Sequence, residues 1–312
     1  MEIIETSSVP FVPNIQHKVL YTHAELLPKL HTLSNWKREG WEEFSTRISA
    51  PEFPCLFSRR AWSAKTIHVL FCEPDRHDGY YQFLHGLIAY TDMVNATPVN
   101  KRMFSPLVVF FSPEFSSSLE PHELGWDILN WAHEHDIAQW PRNVPTDPEA
   151  AEWTYCFNGV ELFINMSSDK HKKLKNRNLG SRLNFVINAR EIFDIVANGE
   201  TKGGRQARER IRNRVKNYND GIMPTELGFY GEEENLEWRQ YQLQEASVPS
   251  NPIQNNERES KCRYITQLQK PWAALQLLNS IILLHRESRF MSKLSLLTQQ
   301  DLSKTGLHFP LY

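Results

Sequence analysis

Between Glu152 and Met166 the chain reads EWTYCFNGVELFINM, two runs that alternate polar with apolar or aromatic residues around an Asn-Gly pair. Alternation of period two is the signature of a half-buried strand. Asn-Gly is the dipeptide most tolerant of the positive φ angles that a two-residue hairpin turn requires. The segment therefore predicts a β-hairpin buried on one face, and the rest of the chain must supply the sheet and the covering layer.

TIHVLFCEP and RMFSPLVVFFSPEF are short apolar, β-branched or aromatic runs ending at turn residues, and they read as strands. YYQFLHGLIAYTDMVN lies between them at helical spacing. HELGWDILNWAHEHD is a second helix, which the prolines of WPRNVPTDP cannot continue. LNFVIN is another strand, EIFDIVANG a helix ending at Gly199, and RQARERIRNRVKNYND a basic amphipathic helix. This order predicts an α+β fold: a largely antiparallel sheet with helices packed on its faces, plus a C-terminal helical extension. Residues 1–50 read as an N-terminal helical arm, with HAELLPKLHTLSNW at helical spacing, and APEFPCLFSRRAW reads as the loop that follows. Residues 51–245 form the core. Residues 246–312 comprise a polar linker and an apolar helix, PWAALQLLNSIILLHRES, that needs a surface to dock on.

Lys and Arg total 35 against 37 Asp and Glu, so no overall field recruits nucleic acid or a membrane surface. No apolar run approaches the roughly 20 residues that span a bilayer, and MEIIETSSVPF lacks the pattern of a signal peptide, so a cytoplasmic location is expected. Cys55, Cys72, Cys156 and Cys262 are widely spaced with no CxxC pair, which argues against a zinc ribbon or a disulfide framework. No GxGxxG, P-loop or GxSxG is present. KGGRQAR at 202–208 is a feeble phosphate signal.

Two segments offer chemistry. NMSSDKHKKLKNRNLGSR sets His171 among Lys170, Lys172, Lys173, Lys175, Arg177 and Arg182, where the cations disfavour a protonated ring and leave it able to bind metal. From residue types alone a solvated basic loop is the more frequent outcome, because charge runs are usually surface features. Cys55 in FPCLFSRR sits beside Arg59 and Arg60, whose charge suits a thiolate ligand, although a lone Cys between Phe and Leu is usually a buried structural thiol. The five arginines of the basic helix could touch RNA or an acidic partner, but given the balanced total charge a solvated face, or an anchor for carboxylates elsewhere in the fold, is the more frequent outcome.

FPCLFSRRA at 53–61, the block WAHEHDIAQWPRNVPTDPEAAEWTYCFNGVELFINMSSDKH at 131–171, FVINAREIFD at 185–194, ARERIRNRVKNYND at 207–220 and LGFYGEEENLEWRQYQL at 227–243 occur in order. This series resembles the YqcI/YcgG-like family, which includes haem-dependent N-hydroxylases acting on arginine and related guanidine compounds. The resemblance implies an oxidoreductase, a monooxygenase using haem b and molecular oxygen, supplied by an external electron donor. It implies His171 as the iron ligand, with Arg177, Arg182 and Cys55 also binding the cofactor. His133 and Asp136 are implied as catalytic, His133 for proton delivery, and Glu161, Asp147 and Trp153 as contacts to a guanidine or amino-acid substrate. One departure is visible: the family's Gly-Glu after the hairpin aromatic is Gly159-Val160 here, with Glu161 one place later. Neither nucleic acid nor a membrane is an expected partner, and a homodimer is left open. A non-catalytic haem sensor or carrier, and an interaction module for nucleic acid or an acidic protein, are the alternatives.

Overall fold

The structure is a computed structural model that describes residues 20–245 apart from 117–119, 229, 232–234 and 244. The chain divides into two units, Met1–Gln269 and Lys270–Tyr312, and every described residue belongs to the first. The expected polar linker and C-terminal helix therefore lie outside the described residues.

In chain order the elements are β1 (Leu20–Thr22), α1 (His23–Leu26), α2 (Asn35–Ser49), α3 (Leu56–Ala64), β2 (His68–Cys72), α4 (Arg76–Ala96), α5 (Val99–Arg102) and β3 (Leu107–Phe111). There follow α6 (Pro121–Glu134), β4 (Tyr155–Phe157), β5 (Val160–Ser167), β6 (Asn184–Ala189), α7 (Glu191–Val196), α8 (Lys202–Tyr218) and α9 (Trp238–Tyr241). The hairpin forms as expected. Asn158 and Gly159 adopt φ angles of 51° and 72°, and Phe157 pairs directly with Val160 across the turn.

Six strands make one sheet in the order β1-β2-β3-β6-β5-β4. Four of the five pairings are antiparallel, and β2 with β3 is parallel. A parallel pair needs a crossover between its strands, and the long α4 supplies it. Leu70, Val109, Ile164, Met166 and Phe185 point to the face covered by α4 and α6. Val69, Phe71, Val108 and Phe110 point the other way and meet Trp41, Phe44 and Ile48 of α2 and Ala61 of α3. Residues 1–50, set apart in the sequence as an arm, thus supply from Leu20 onward an edge strand and the helix covering one half of the second face. APEFPCLFSRRAW, expected as a loop, ends in α3. Cys55 caps that helix, its Sγ accepting the Ser58 N–H at 3.4 Å.

Candidate active site

On the second face, α2 and α3 cover the β2–β3 half, whereas Phe163, Asn165 and Ser167 of β5 open into a cleft. The cleft has a volume of about 270 Å³ and is open to solvent at its mouth. Small-molecule sites typically span ~300–1,000 Å³, so its enclosed part lies at the small end of that range. The Cys55–Ser58 turn forms one wall, α7 and α8 form another, and Leu227, Gly228, Tyr230, Glu237 and Gln240 close the remainder.

Local chemistry holds these walls in place. Arg214 of α8 donates to the carbonyls of Pro51 at 2.7 Å, Phe53 at 2.7 Å and Pro54 at 3.2 Å, fixing the turn that presents Cys55. Arg208 donates to Ala197 O and to Gly228 O, and Arg212 to Leu227 O at 2.7 Å. The basic helix is therefore not a bare solvated face: three of its arginines staple backbone around the cleft. Gly204 is explained by packing as well. A Cβ there would meet the Asn198 carbonyl oxygen at 2.0 Å, so the Gly pair lets α8 start against the α7–α8 loop. Thr201 caps the helix by accepting the Gly204 N–H at 3.0 Å.

The cleft favours anions over most of its lining. Arg177, Arg190, Arg208 and Arg212 face it, against the two carboxylates Asp194 and Glu237. Arg177 is buried and donates to Gln240 O at 2.8 Å and Tyr241 O at 3.2 Å. Burial lowers its pKa to about 10, and Cys55 is close enough to oppose that shift. Arg190 is held by Glu161 at 2.8 Å and Asp194 at 2.7 Å, and its guanidinium lies 3.8 Å from the centre of the Tyr230 ring. Glu237 is buried, and burial raises its carboxyl to about 7 against the hydrogen bonds from Thr154 and Tyr241.

Of the residues singled out in the sequence, the cleft brings together Cys55 and Arg177. His171 lies elsewhere: its ring is buried, Nδ1 accepts the Ser168 N–H at 3.3 Å and Nε2 donates to Leu243 O at 2.7 Å. Burial, more than the neighbouring cations, lowers its pKa, and in this arrangement neither nitrogen offers a lone pair to a metal. Arg182 is buried against α2, donating to Trp36 O and Ser181 Oγ. His133 packs edge-on against Trp140, which stacks on the fully buried Trp153. Asp136 accepts the N–H groups of Ala138 and Asn158, tying the end of α6 to the hairpin turn, and burial raises its carboxyl to about 6. Asp147 is exposed and accepts the Glu149 N–H. Glu161 touches the cleft only through Arg190. Arg59 and Arg60 do not line it, and Arg177 stands near Cys55 instead.

The sequence match spans the whole of this construction: a model of the YqcI/YcgG family covers residues 44–254, which include every residue lining the cleft. The chain belongs to the YqcI/YcgG family. A relative from Streptomyces lavendulae, provisionally named the N(omega)-hydroxy-L-arginine synthase DcsA, is 36% identical over 74% of this chain and 85% of its own length. Two uncharacterised proteins of Bacillus subtilis strain 168, YqcI and YcgG, are 28% and 29% identical, each over 72% of this chain and 90% of their own length. No solved structure matches the chain.

Within this YqcI/YcgG chain, sequence reasoning missed Glu237, Arg190 and the arginines of α8 as cleft residues. Glu237 had a faint signal. In LEWRQY it is the one carboxylate, set among Leu236, Trp238 and Tyr241, all buried, and a charge in such company is seldom idle.

Proposed function

We propose that this protein hydroxylates a guanidine nitrogen of arginine or a closely related compound, and that haem b occupies the cleft with the Cys55 sulfur as iron ligand. One observation carries this reading: a single cleft gathers a sulfur at a helix N-terminus, apolar and aromatic walls, and guanidinium groups that suit the carboxylates of a porphyrin. Of the two iron donors the sequence offers, Cys55 faces open space and His171 is engaged by backbone at both nitrogens. The name carried by the Streptomyces relative supports the substrate class.

Bound there, haem supplies the reductive use of molecular oxygen: one oxygen atom forms the new N–O bond and the other leaves as water, consuming two electrons and two protons. The electrons come from an external donor protein or small reductant. The chain's own part is to bind and orient. Phe163, Phe193 and Tyr230 exclude water from the cleft floor, which strengthens every charge interaction inside it. The Ser58 N–H, aimed at Cys55 Sγ, stabilises negative charge on sulfur. Arg214 keeps that turn from relaxing.

The test is spectroscopic and chemical. Protein produced with a haem precursor shows a Soret band and converts L-arginine to a product heavier by one oxygen when supplied with reductant and air. Cys55→Ala loses or shifts the band, whereas His171→Ala keeps it. A band unchanged in Cys55→Ala overturns the ligand assignment, and a colourless wild-type protein overturns the haem reading.

A further inference from the structure

Glu237 does not fit a cleft otherwise built for anions. Its Oε1 accepts the Thr154 hydroxyl at 2.5 Å and the Tyr241 hydroxyl at 3.0 Å. Those same hydroxyls approach Leu162 O at 3.3 and 2.9 Å, so two protons are shared between two acceptors. Among the described residues no donor reaches Oε2, and no Lys or Arg forms an ion pair with Glu237. Arg190 is the cation that acts on it, and Arg190 is already committed to Glu161 and Asp194. A carboxylate that is 3% exposed and lacks a cationic partner is costly unless something else pairs with it. Glu237 lies on the cleft wall, where a ligand can be that partner.

We infer that Glu237 is the specificity-determining residue of the cleft, receiving the planar cationic end of its substrate and rejecting neutral compounds of the same shape. The inference rests on the N-hydroxylation reading and deepens it by naming what the cleft recognises. A guanidinium fits better than a compact ammonium for two reasons. Its flat fork can donate to a carboxylate oxygen while its face lies on an aromatic wall, and Phe163 and Tyr230 supply such walls. The hydroxyls of Thr154 and Tyr241 hold Oε1 still, which leaves Oε2 oriented for the ligand.

Isothermal titration of the haem-loaded protein with L-arginine, L-ornithine and L-citrulline separates the possibilities, because citrulline replaces the guanidinium with a neutral urea of nearly the same shape. Wild-type protein is expected to bind arginine well above both others. Glu237→Gln, which keeps the side-chain shape, is expected to weaken arginine at least about 30-fold and citrulline by less than about threefold. Glu237→Asp, which keeps the charge one methylene further back, is expected to recover part of the arginine affinity. Arginine affinity in Glu237→Gln within about threefold of wild type overturns the inference and leaves the N-hydroxylation reading standing. Wild-type binding of ornithine in preference to arginine overturns the guanidinium assignment, and failure of the wild type to bind arginine removes both.

Discussion

Among the described residues, burial holds two carboxyl groups protonated above their ordinary range: Glu237, raised from 4.5 to about 7, and Asp136, raised from 3.8 to about 6. Each binds its proton more tightly in the folded chain than in the unfolded one. The stability this confers is complete below the unfolded values and is lost as pH rises through the folded values. In the ligand-free protein, stability should therefore decline from about pH 4 to about pH 7. The Glu237 part of that decline is about 3 kcal/mol, from 1.36 kcal/mol per unit. Glu237→Gln should flatten the decline above pH 6 and melt higher than wild type at pH 8. Chemical denaturation across the pH range reads this directly, and an unchanged slope would mean that Glu237 is not buried as described. Asp136→Asn should act at lower pH, and because its Oδ1 holds two N–H groups it should also loosen the hairpin turn.

At the scale of elements, α8 ties the cleft walls together: Arg208, Arg212 and Arg214 each donate to carbonyls of neighbouring loops. Arg214→Ala removes three such bonds from the Cys55 turn. It should cost about 2 kcal/mol in thermal or denaturant unfolding, and it should also broaden or shift the Soret band of the haem-loaded protein. A stability loss with an unaltered spectrum would mean that Arg214 supports the fold without positioning the sulfur. Gly204→Ala forces the start of α8 away from the Asn198 backbone and should destabilise by more than the fraction of a kcal/mol that Gly-to-Ala normally gains in a helix. Gly159→Ala, at φ 72° with open space around it, should cost about 1 kcal/mol through backbone strain alone.

Across the whole molecule, β6 joins the β2–β3 pair to the β5–β4 hairpin, so the sheet is only as secure as its centre. Phe185, fully buried against Phe83 and Phe111, should cost about 3–5 kcal/mol on truncation to Ala, measured by denaturant unfolding. Val186, on the cleft side of the same strand, should cost far less. Among the described residues no helix is long and apolar enough to cross a membrane. Much of this architecture was legible from local rules. Alternation and Asn-Gly predict the hairpin, apolar runs predict β2, β3 and β6, and 3.6-residue spacing predicts α4, α6 and α8. Local rules read less well where partners lie far apart in sequence. Nothing local distinguishes the parallel β2–β3 pair from a hairpin, and FPCLFSRRA carries too many prolines and aromatics nearby to announce α3. Nor does the cation-rich text around His171 reveal that Leu243 O and the Ser168 N–H occupy its ring. The amino-acid sequence alone determined the element types and the family, because periodicity, turn chemistry and ordered motifs are properties of neighbouring residues. Only the tertiary structure decided which sulfur, which guanidinium groups and which carboxylate share a cleft. Cys55 and Glu237 stand far apart along the chain, and what brings them to one cavity is long-range contact: Arg214 of α8 holds the Cys55 turn, and α9 packs on β5.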